Sequence, residues 1–325
     1  MILEIRRERR IELVMEGFRM NDLMRWKEGH LQADGTWPEP RLVKIKMTMR
    51  SIIMYACWAV ISLPGISACR NSKAAAAATG NSSDVIRIMS YNIHHANPPS
   101  KAKDSIIDMQ AIADVIVKAK PDLVALQEVD NRTTRSGAHL NQAQELGRLT
   151  GMHYYFSRSM DYRGGQYGNA VLSRFPITDT VHYELPPQEG SKSEVRSVGI
   201  IKVQLQNKKE IYFASTHLDV MRDETNKLLQ SKKIIEVAES LTLPFIIAGD
   251  FNAHPGSKTI ALLDQHFTRS CITDCPPTIP VVNPKSTIDY IMYRPAGSFK
   301  TLNVQAINET YASDHLPVIA EFKIK

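Results

Sequence analysis

Short apolar runs that end on a carboxylate, a carboxamide or an imidazole recur along residues 85–325. In "LPFIIAGDFNAHPGS" the apolar run is followed by Asp250 and Asn252, and then by the turn formers Pro255 and Gly256. This pattern is typical of a strand that is buried on both faces, and residues two apart on an extended chain point the same way. We therefore expect the side chains of Asp250 and Asn252 to contact the same small ligand at the rim of a sheet, although both residues are also common in turns.

The coarse pattern of residues 85–325 contains more strands than helices, and several strands follow one another directly. This arrangement favours two packed sheets flanked by helices over a doubly wound parallel sheet. Helical patterns fall at 105–119, 139–150 and 222–240. Strands are predicted near 85–91, 122–127, 168–173, 197–205, 210–216, 244–250, 287–293 and 317–323.

Further polar residues stand where these strands begin or end. Each has an ordinary structural explanation, such as a loop carboxylate, a core polar group with its hydrogen bonds made, or an imidazole at a strand end. Their joint occurrence favours a functional site, because buried carboxylates are costly unless they are paired or bound to a metal. The residues are Asn92, Glu128, His217, Asp289, Asp314 and His315.

The segments "LQEV", "GDFN", "IDYI" and "SDHLP" occur in this order. Together they resemble the endonuclease/exonuclease/phosphatase superfamily, and the resemblance covers residues 85–325. It implies a deoxyribonuclease-like four-layer α/β sandwich that hydrolyses phosphoesters with Mg²⁺ or Mn²⁺, through metal-assisted attack of water. Oxygen ligands such as a glutamate suit Mg²⁺, which binds through one or two carboxylates and keeps several waters.

The resemblance also implies roles for individual residues. Asp250 and Asn252 would orient the attacking water and hold a phosphate oxygen, and Asp289 would support His315. Arg196 would clamp phosphate, but other branches of the superfamily carry Asn or Glu near this position, so a surface salt bridge is the alternative. The assignments are metal binding by Asn92, Glu128 and Asp314, catalysis by His217, Asp250, Asn252, Asp289 and His315, and substrate binding by Asn169 and Arg196.

The chain before residue 85 is predicted to contain three segments. "RRERRIELVMEGFRMNDLMRWK" resembles the tail of SusD-like glycan-binding lipoproteins, so residues 1–46 are interpreted as a fragment outside the mature enzyme. Residues 47–69 carry Arg50, an apolar stretch and Ile66-Ser67-Ala68-Cys69, which is similar to a bacterial lipobox. They are interpreted as a lipoprotein signal peptide, with a buried helix as the alternative. Residues 70–84 would be a linker to the domain at 85–325.

Two of the four cysteines, Cys57 and Cys69, lie in the predicted signal peptide. The other two, Cys271 and Cys275, are four residues apart in a predicted loop. In an oxidising compartment they would form a disulfide, whereas free thiols are the alternative. A zinc site would require two further ligands, which the sequence does not supply.

Charge bears on the choice of substrate. The first 68 residues hold 11 of the 40 Lys and Arg residues and 8 of the 34 Asp and Glu residues, so the remainder carries a net charge of only +3. A protein that binds nucleic acid tightly needs clustered Lys and Arg residues that contact phosphates, and the sequence of this region shows no such cluster.

We therefore expect a small or lipid-linked phosphodiester or phosphomonoester as substrate, with nucleic acid as the less favoured alternative. A non-catalytic binding lipoprotein associated with glycan uptake is the alternative from another class. The expected state is a monomer held at the membrane by a lipid anchor. Its location would be the cell envelope, on the periplasmic or outer-membrane face, or else it would be secreted.

Overall fold

The computed structural model describes residues 84–325. The SusD-like segment, the predicted signal peptide with its lipobox, and the linker up to residue 83 lie outside the described residues. The elements in chain order are β1 (Val85–Asn92), α1 (Met109–Ala119), β2 (Leu123–Asn131), α2 (Gln142–Thr150), β3 (His153–Tyr162), β4 (Gly165–Ser173), β5 (Ile177–Leu185), β6 (Arg196–Gln204), β7 (Glu210–His217), α3 (Thr225–Ser240), β8 (Phe245–Asp250), α4 (Lys258–Leu263), β9 (Thr268–Arg269), β10 (Asp289–Arg294), β11 (Phe299–Ala306) and β12 (Val318–Ile324).

The strands form two six-stranded mixed sheets. The first sheet has the order β11-β12-β1-β2-β4-β3, and the second has the order β5-β6-β7-β8-β10-β9. Each sheet has one parallel pair, β1 with β2 in the first and β7 with β8 in the second, and the other neighbours are antiparallel. A parallel pair requires a crossover connection. Helix α1 lies in the crossover of the first pair, and α3 lies in that of the second.

Three apolar clusters fill the spaces between the layers. One lies between the sheets and contains Ile88, Phe213 and Phe322. A second packs α1 and α2 on the outer face of the first sheet, and a third packs α3 and α4 on the outer face of the second. The result is a helix–sheet–sheet–helix sandwich, which confirms the predicted four-layer fold.

The strand directions bring several strand ends to one rim. Because β1 and β2 are parallel, Asn92 and Gln127 lie side by side where their pairing ends, with Glu128 next in sequence. In the second sheet His217 pairs with Asp250 across β7 and β8, and Asp250 pairs with Asp289 across β8 and β10. The central strands of both sheets therefore deliver polar residues to a common rim.

The structure contains four strands that the sequence patterns did not predict. Strands β3 and β11 are the two edges of the first sheet, and β5 and β9 are the two edges of the second. The short helix α4 was also not predicted.

Cys271 and Cys275 are joined by a disulfide in the segment between β9 and β10. Within residues 84–325, no helix has both the length and the apolar character required to cross a bilayer.

Candidate active site

Glu128 is placed by an irregularity in β2. Leu126 pairs with Ala170 and Val129 pairs with Gly168, so two residues of β2 face the single residue Asn169 of β4. This is a β-bulge, a device that re-aims a side chain at the end of regular pairing. Glu128 itself has a φ of 56°, a left-handed value that is uncommon for a residue other than glycine. The bulge is the local feature that turns the carboxylate of Glu128 into the cleft at the rim.

Asn92 connects the two sheets at this point. Its Nδ2 donates to Oε1 of Glu128 at 3.2 Å and to Oδ2 of Asp250 at 3.1 Å, while its Oδ1 accepts from the backbone N–H of His94 at 3.1 Å. The amide thus directs its N–H groups at the two carboxylates. Asn92 is fully buried and holds Glu128 and Asp250 in place, and its predicted role as a metal ligand stays a prediction.

His315 lies between two buried carboxylates. Its Nδ1 is 3.0 Å from Oδ2 of Asp289, and its Nε2 is 3.7 Å from Oδ2 of Asp250. Thr278 donates its hydroxyl to the same Asp289 oxygen at 2.5 Å. Asp289 is thereby fixed beneath the imidazole, and the opposite ring nitrogen faces Asp250.

The charges of this cluster are set by burial and by neighbours. Burial, and then the nearby charge of Asp289, raise the pKa of Asp250 to about 7, although His315 and the hydrogen bonds from Asn252 and Asn92 act the other way. Burial acts to lower the pKa of His315, but the charges of Asp289, Asp250 and Asp314 outweigh it and raise the pKa to about 10. His315 is therefore an imidazolium at neutral pH, beside a carboxyl group that exchanges its proton near neutrality.

His217 forms a second imidazole contact to Asp250, with Nε2 at 3.4 Å from Oδ2. On the other side of the ring, Nη1 of Arg196 lies 3.4 Å from Nδ1. Burial and the charges of Arg196 and His315 hold the pKa of His217 well below its usual range, so the ring is neutral. An arginine can only donate, so Nδ1 accepts and the single ring proton of His217 is on Nε2.

The remaining predicted residues are divided between the cleft and the interior. Asn252 lies at the cleft, where its backbone N–H donates to Oδ1 of Asp250 at 2.9 Å. Asn169 is 1% exposed, does not line the cleft, and donates to the backbone carbonyl of Ser197 at 2.9 Å. Asn169 therefore supports the start of β6, next to Arg196.

A cleft of about 410 Å³ is lined by seven of the predicted site residues: Glu128, Arg196, His217, Asp250, Asn252, Asp314 and His315. It also contains residues that the sequence did not single out: Arg135, Met160, Tyr162, Tyr167, Glu194, Val220, Ile279 and Ile288. Arg135 is held there by a two-point contact with the buried Asp130, at 2.7 and 2.9 Å, and its guanidinium lies 4.6 Å from the ring centre of Tyr162. No motif marks Arg135, because its place depends on a loop and on a strand that is distant in sequence.

Glu128 and Asp314 are suited to a hard divalent ion. Both are half-buried carboxylates that line the cleft, and within residues 84–325 neither forms a salt bridge with a basic side chain. Two open carboxylates with room for water match the donors that Mg²⁺ uses. The oxygen donors that Glu128 and Asp314 offer to the cleft therefore fit a divalent ion.

Comparison with known families agrees with this geometry. A sequence profile of the Endonuclease/Exonuclease/phosphatase family matches residues 89–315, which span the rim from β1 to His315. The chain belongs to this family. Its members include phosphatases and nucleases, are hydrolases of phosphoesters, and generally use divalent metals.

Individual relatives are similar to this chain at low sequence identity. The chain is 26% identical over 252 residues to an uncharacterized protein of Escherichia coli K12, YbhP, covering 73% of this chain and 96% of the relative. A family protein from Bacteroides thetaiotaomicron has a similar structure, with a TM-score of 0.61, 20% identity, and coverage of 74% of this chain and 98% of that one. A mannosyl-6-phosphatase of the same species has a TM-score of 0.59, 20% identity, and coverage of 73% and 99%. At these identities the similar structures establish the fold alone.

A second profile, that of the SusD family, matches residues 1–97. This match confirms the resemblance noted in the first residues and extends it into β1, where it overlaps the first match at residues 89–97. SusD-like proteins are envelope lipoproteins, so the match is compatible with an envelope-associated protein.

Proposed function

We propose that the chain is a divalent-metal-dependent phosphoesterase that hydrolyses a small or lipid-linked phosphodiester or phosphomonoester. The observation that carries the proposal is the convergence of Glu128, Asp250 and His315 in one cleft, from three distant parts of the chain. A phosphoester repels nucleophiles and gains charge on its oxygens in the transition state, so its hydrolysis needs a base for water and cationic groups at the phosphate.

The residues of the cleft supply these functions. Asp250, with a pKa raised to about 7, is suited to take the proton of an attacking water near neutral pH. His315, kept cationic by Asp289, would donate from Nε2 to a phosphate oxygen, and the neutral His217 would donate from its own Nε2. Mg²⁺ or Mn²⁺ held by Glu128 and Asp314 would supply Lewis-acid stabilisation of the phosphoryl oxygens.

The charge and size of the cleft favour a small substrate over nucleic acid. Four acidic side chains line it, Glu128, Glu194, Asp250 and Asp314, against three cationic ones, Arg135, Arg196 and the protonated His315. A groove that binds a nucleic-acid duplex contains more basic than acidic residues, because its affinity comes from many Lys and Arg contacts with phosphates. A cleft of about 410 Å³ has room for one phosphate and a modest attached group. The similarity to a mannosyl-6-phosphatase adds sugar phosphates to the classes that should be tested.

The envelope is the proposed location, with the chain as a monomer held by a lipid on Cys69. The lipobox-like residues 66–69, the SusD profile match and the disulfide between Cys271 and Cys275 support this location, because disulfides persist in oxidising compartments.

The decisive experiment is an activity screen of the metal-free chain with Mg²⁺ or Mn²⁺ added back. The substrates are aryl phosphodiesters, sugar phosphates, inositol phosphates, phospholipids and nucleic acids. We expect turnover of a small or lipid-linked phosphoester, and loss of that turnover in His315→Ala. Absence of turnover with every substrate, in a protein shown to be folded, would contradict the proposal and favour a glycan-uptake binding lipoprotein.

A further inference from the structure

The turn that follows β1 carries two adjacent histidines beside the proposed metal ligand. His94, His95 and Ala96 all have left-handed backbone angles, with φ of 45°, 43° and 56°. The turn is fixed at both ends, because Ile93 donates its backbone N–H to the carbonyl of Gln127 at 3.1 Å and Gln142 donates its side chain to the carbonyl of His95 at 2.7 Å. These bonds hold the histidines next to the bulge of β2.

The two imidazoles converge on Glu128. One ring nitrogen of His94, one of His95 and one carboxylate oxygen of Glu128 all lie within 4.8 Å of one another. The rings meet edge to face, with their centres 4.6 Å apart. Ligand atoms that bind one ion at about 2.0–2.2 Å are separated from one another by up to roughly 4 Å. Small rotations of the three side chains would therefore bring their ligand atoms within bonding distance of one ion.

The hydrogen bond of His94 prepares it as a ligand. Its Nδ1 lies 2.8 Å from the backbone carbonyl of Asn97. A carbonyl can only accept, so the proton is on Nδ1 and the lone pair is on Nε2. Metal-ligating histidines are commonly oriented in this way, with one ring N–H given to a carbonyl and the other nitrogen given to the ion.

His95 supplies an independent observation. Its Nδ1 is buried and has no hydrogen-bond partner among the described residues. A buried polar atom without a partner is unusual in native proteins and points to a bound group that satisfies the ring.

We propose that His94, His95 and Glu128 form a second metal site, which takes a transition-metal ion such as Zn²⁺, with Glu128 shared between this ion and the one beside Asp314. Imidazole nitrogens are good ligands for Zn²⁺ and other late transition-metal ions, whereas carboxylate and water oxygens are good ligands for Mg²⁺. The donor sets therefore separate the two sites by type of ion.

The use of this second ion rests on the proposed function. A second ion held by His94, His95 and Glu128 would add Lewis-acid stabilisation of the phosphoryl oxygens. Binding of the ion is a property of the chain alone and can be measured without any turnover, so failure of the site and failure of the proposed function are distinguishable.

The experiment uses the untagged full chain, stripped of metal and titrated with Zn²⁺ by calorimetry in excess Mg²⁺. We expect one tight Zn²⁺ site per native chain, lost or weakened at least 10-fold in the double variant His94→Ala, His95→Ala. Co²⁺ added in place of Zn²⁺ should give the visible absorption of a nitrogen-ligated ion, and this absorption should disappear in the same variant. The matched control is His153→Ala, His266→Ala, because neither of these histidines belongs to the group of ligand atoms around Glu128, and it should bind as the native chain does.

Unchanged Zn²⁺ affinity in the double variant would overturn the second site, and so would the absence of a tight site in the native chain. Thermal unfolding of each metal-free variant checks that the chain is folded. If the alanine variant unfolds, His94→Asn with His95→Asn is used instead, and X-ray absorption of the Zn²⁺-loaded native chain counts the imidazole ligands directly. Fewer than two imidazoles in that spectrum would also contradict the proposal.

Discussion

Asp289 holds His315 through a contact of 3.0 Å between Oδ2 and Nδ1, and both side chains are almost fully buried, at 1% and 7% exposure. A carboxylate in this position does more than orient the ring. It keeps the imidazole cationic in a site where burial alone would neutralise it. His315 therefore presents a positive charge to a cleft that is otherwise rich in carboxylates.

The first prediction concerns the titration of this pair. In the metal-free chain His315 should stay protonated through neutral pH and titrate near its raised pKa of about 10, and Asp289→Asn should lower that pKa. The folded-state pKa is raised from 6.5, so the stabilisation from protonation is complete below pH 6.5 and is lost as the pH rises through about 10. NMR of ¹⁵N-labelled histidine measures this. An ordinary titration of His315 near 6.5 would refute the pairing.

The second prediction concerns Glu128. Glu128→Gln should reduce turnover at least about 100-fold, since loss of a metal's charge stabilisation removes several kcal/mol from the transition state. Excess chelator should have the same effect on the native enzyme. The control is Glu145→Gln, which removes only a surface pair with Arg148 on α2 and should leave kcat and KM unchanged. Full activity in chelator would exclude the metal-dependent mechanism.

The third prediction concerns Glu224, whose carboxylate accepts from the first N–H groups of α4. Thr259 donates both its backbone N–H, at 2.8 Å, and its hydroxyl, at 2.6 Å. Burial acts to raise the pKa of Glu224, but these bonds and the one from Lys258 outweigh it and lower the pKa. Glu224→Gln should reduce the free energy of unfolding by about 1 kcal/mol at pH 7, the usual scale of an N-terminal cap.

Because the folded-state pKa of Glu224 is depressed, its contribution is complete above the ordinary value of 4.5 and is lost as the pH falls through the folded value. Urea unfolding of native chain and variant at neutral and acidic pH measures the difference. The control is Glu236→Gln, whose side chain is 69% exposed and should change stability little at any pH. A difference that persists in acid would show that charge is not the cause.

The fourth prediction concerns the membrane anchor. Expressed from Met47 or Met49, the protein should partition with membranes and incorporate a labelled fatty acid, because residues 66–69 resemble a lipobox. Cys69→Ser should abolish the label. Cys57→Ser, in the apolar stretch, should retain it, and equal labelling of the Cys69 variant would rule the anchor out.

The fifth prediction concerns substrate class. Hydrolysis of a small or lipid-linked phosphoester should exceed DNA cleavage in kcat/KM, and any cleavage of DNA should be slow and independent of sequence. Plasmid nicking and phosphoester release are compared at matched enzyme concentration and low salt. Efficient nicking with a steep salt dependence would instead indicate that the folded protein gathers a phosphate-binding surface.

The sequence patterns predicted the central strands of both sheets but not the edge strands, and one physical reason explains both outcomes. Central strands such as β8 are buried along their whole length and read as apolar runs. An edge strand such as β11 alternates between buried and exposed positions and carries polar residues such as Lys300 and Asn303. Edge strands are commonly polar because this discourages pairing with other chains, and the same property hides them from a search for apolar runs.

The candidate site divides in a similar way. Residues at the ends of central strands, such as Asp250 and His217, stand out because a polar residue interrupts an apolar run. Arg135 and Tyr162 line the same cleft without any such signal, since a loop and an edge strand bring them there. The adjacent His94 and His95 were visible in the sequence, but their relation to Glu128 depends on the bulge in β2, which no local pattern predicts.

The last strand, β12, lies between β11 and β1 in the first sheet, and the residues just before it are bonded to the first strand, where the hydroxyl of Ser313 donates to the carbonyl of Asn92 at 2.7 Å. Until β12 is inserted, β1 has no partner on that side, and the cleft lacks both Asp314 and His315. Docking of the last strand therefore completes the first sheet and the cleft in the same step.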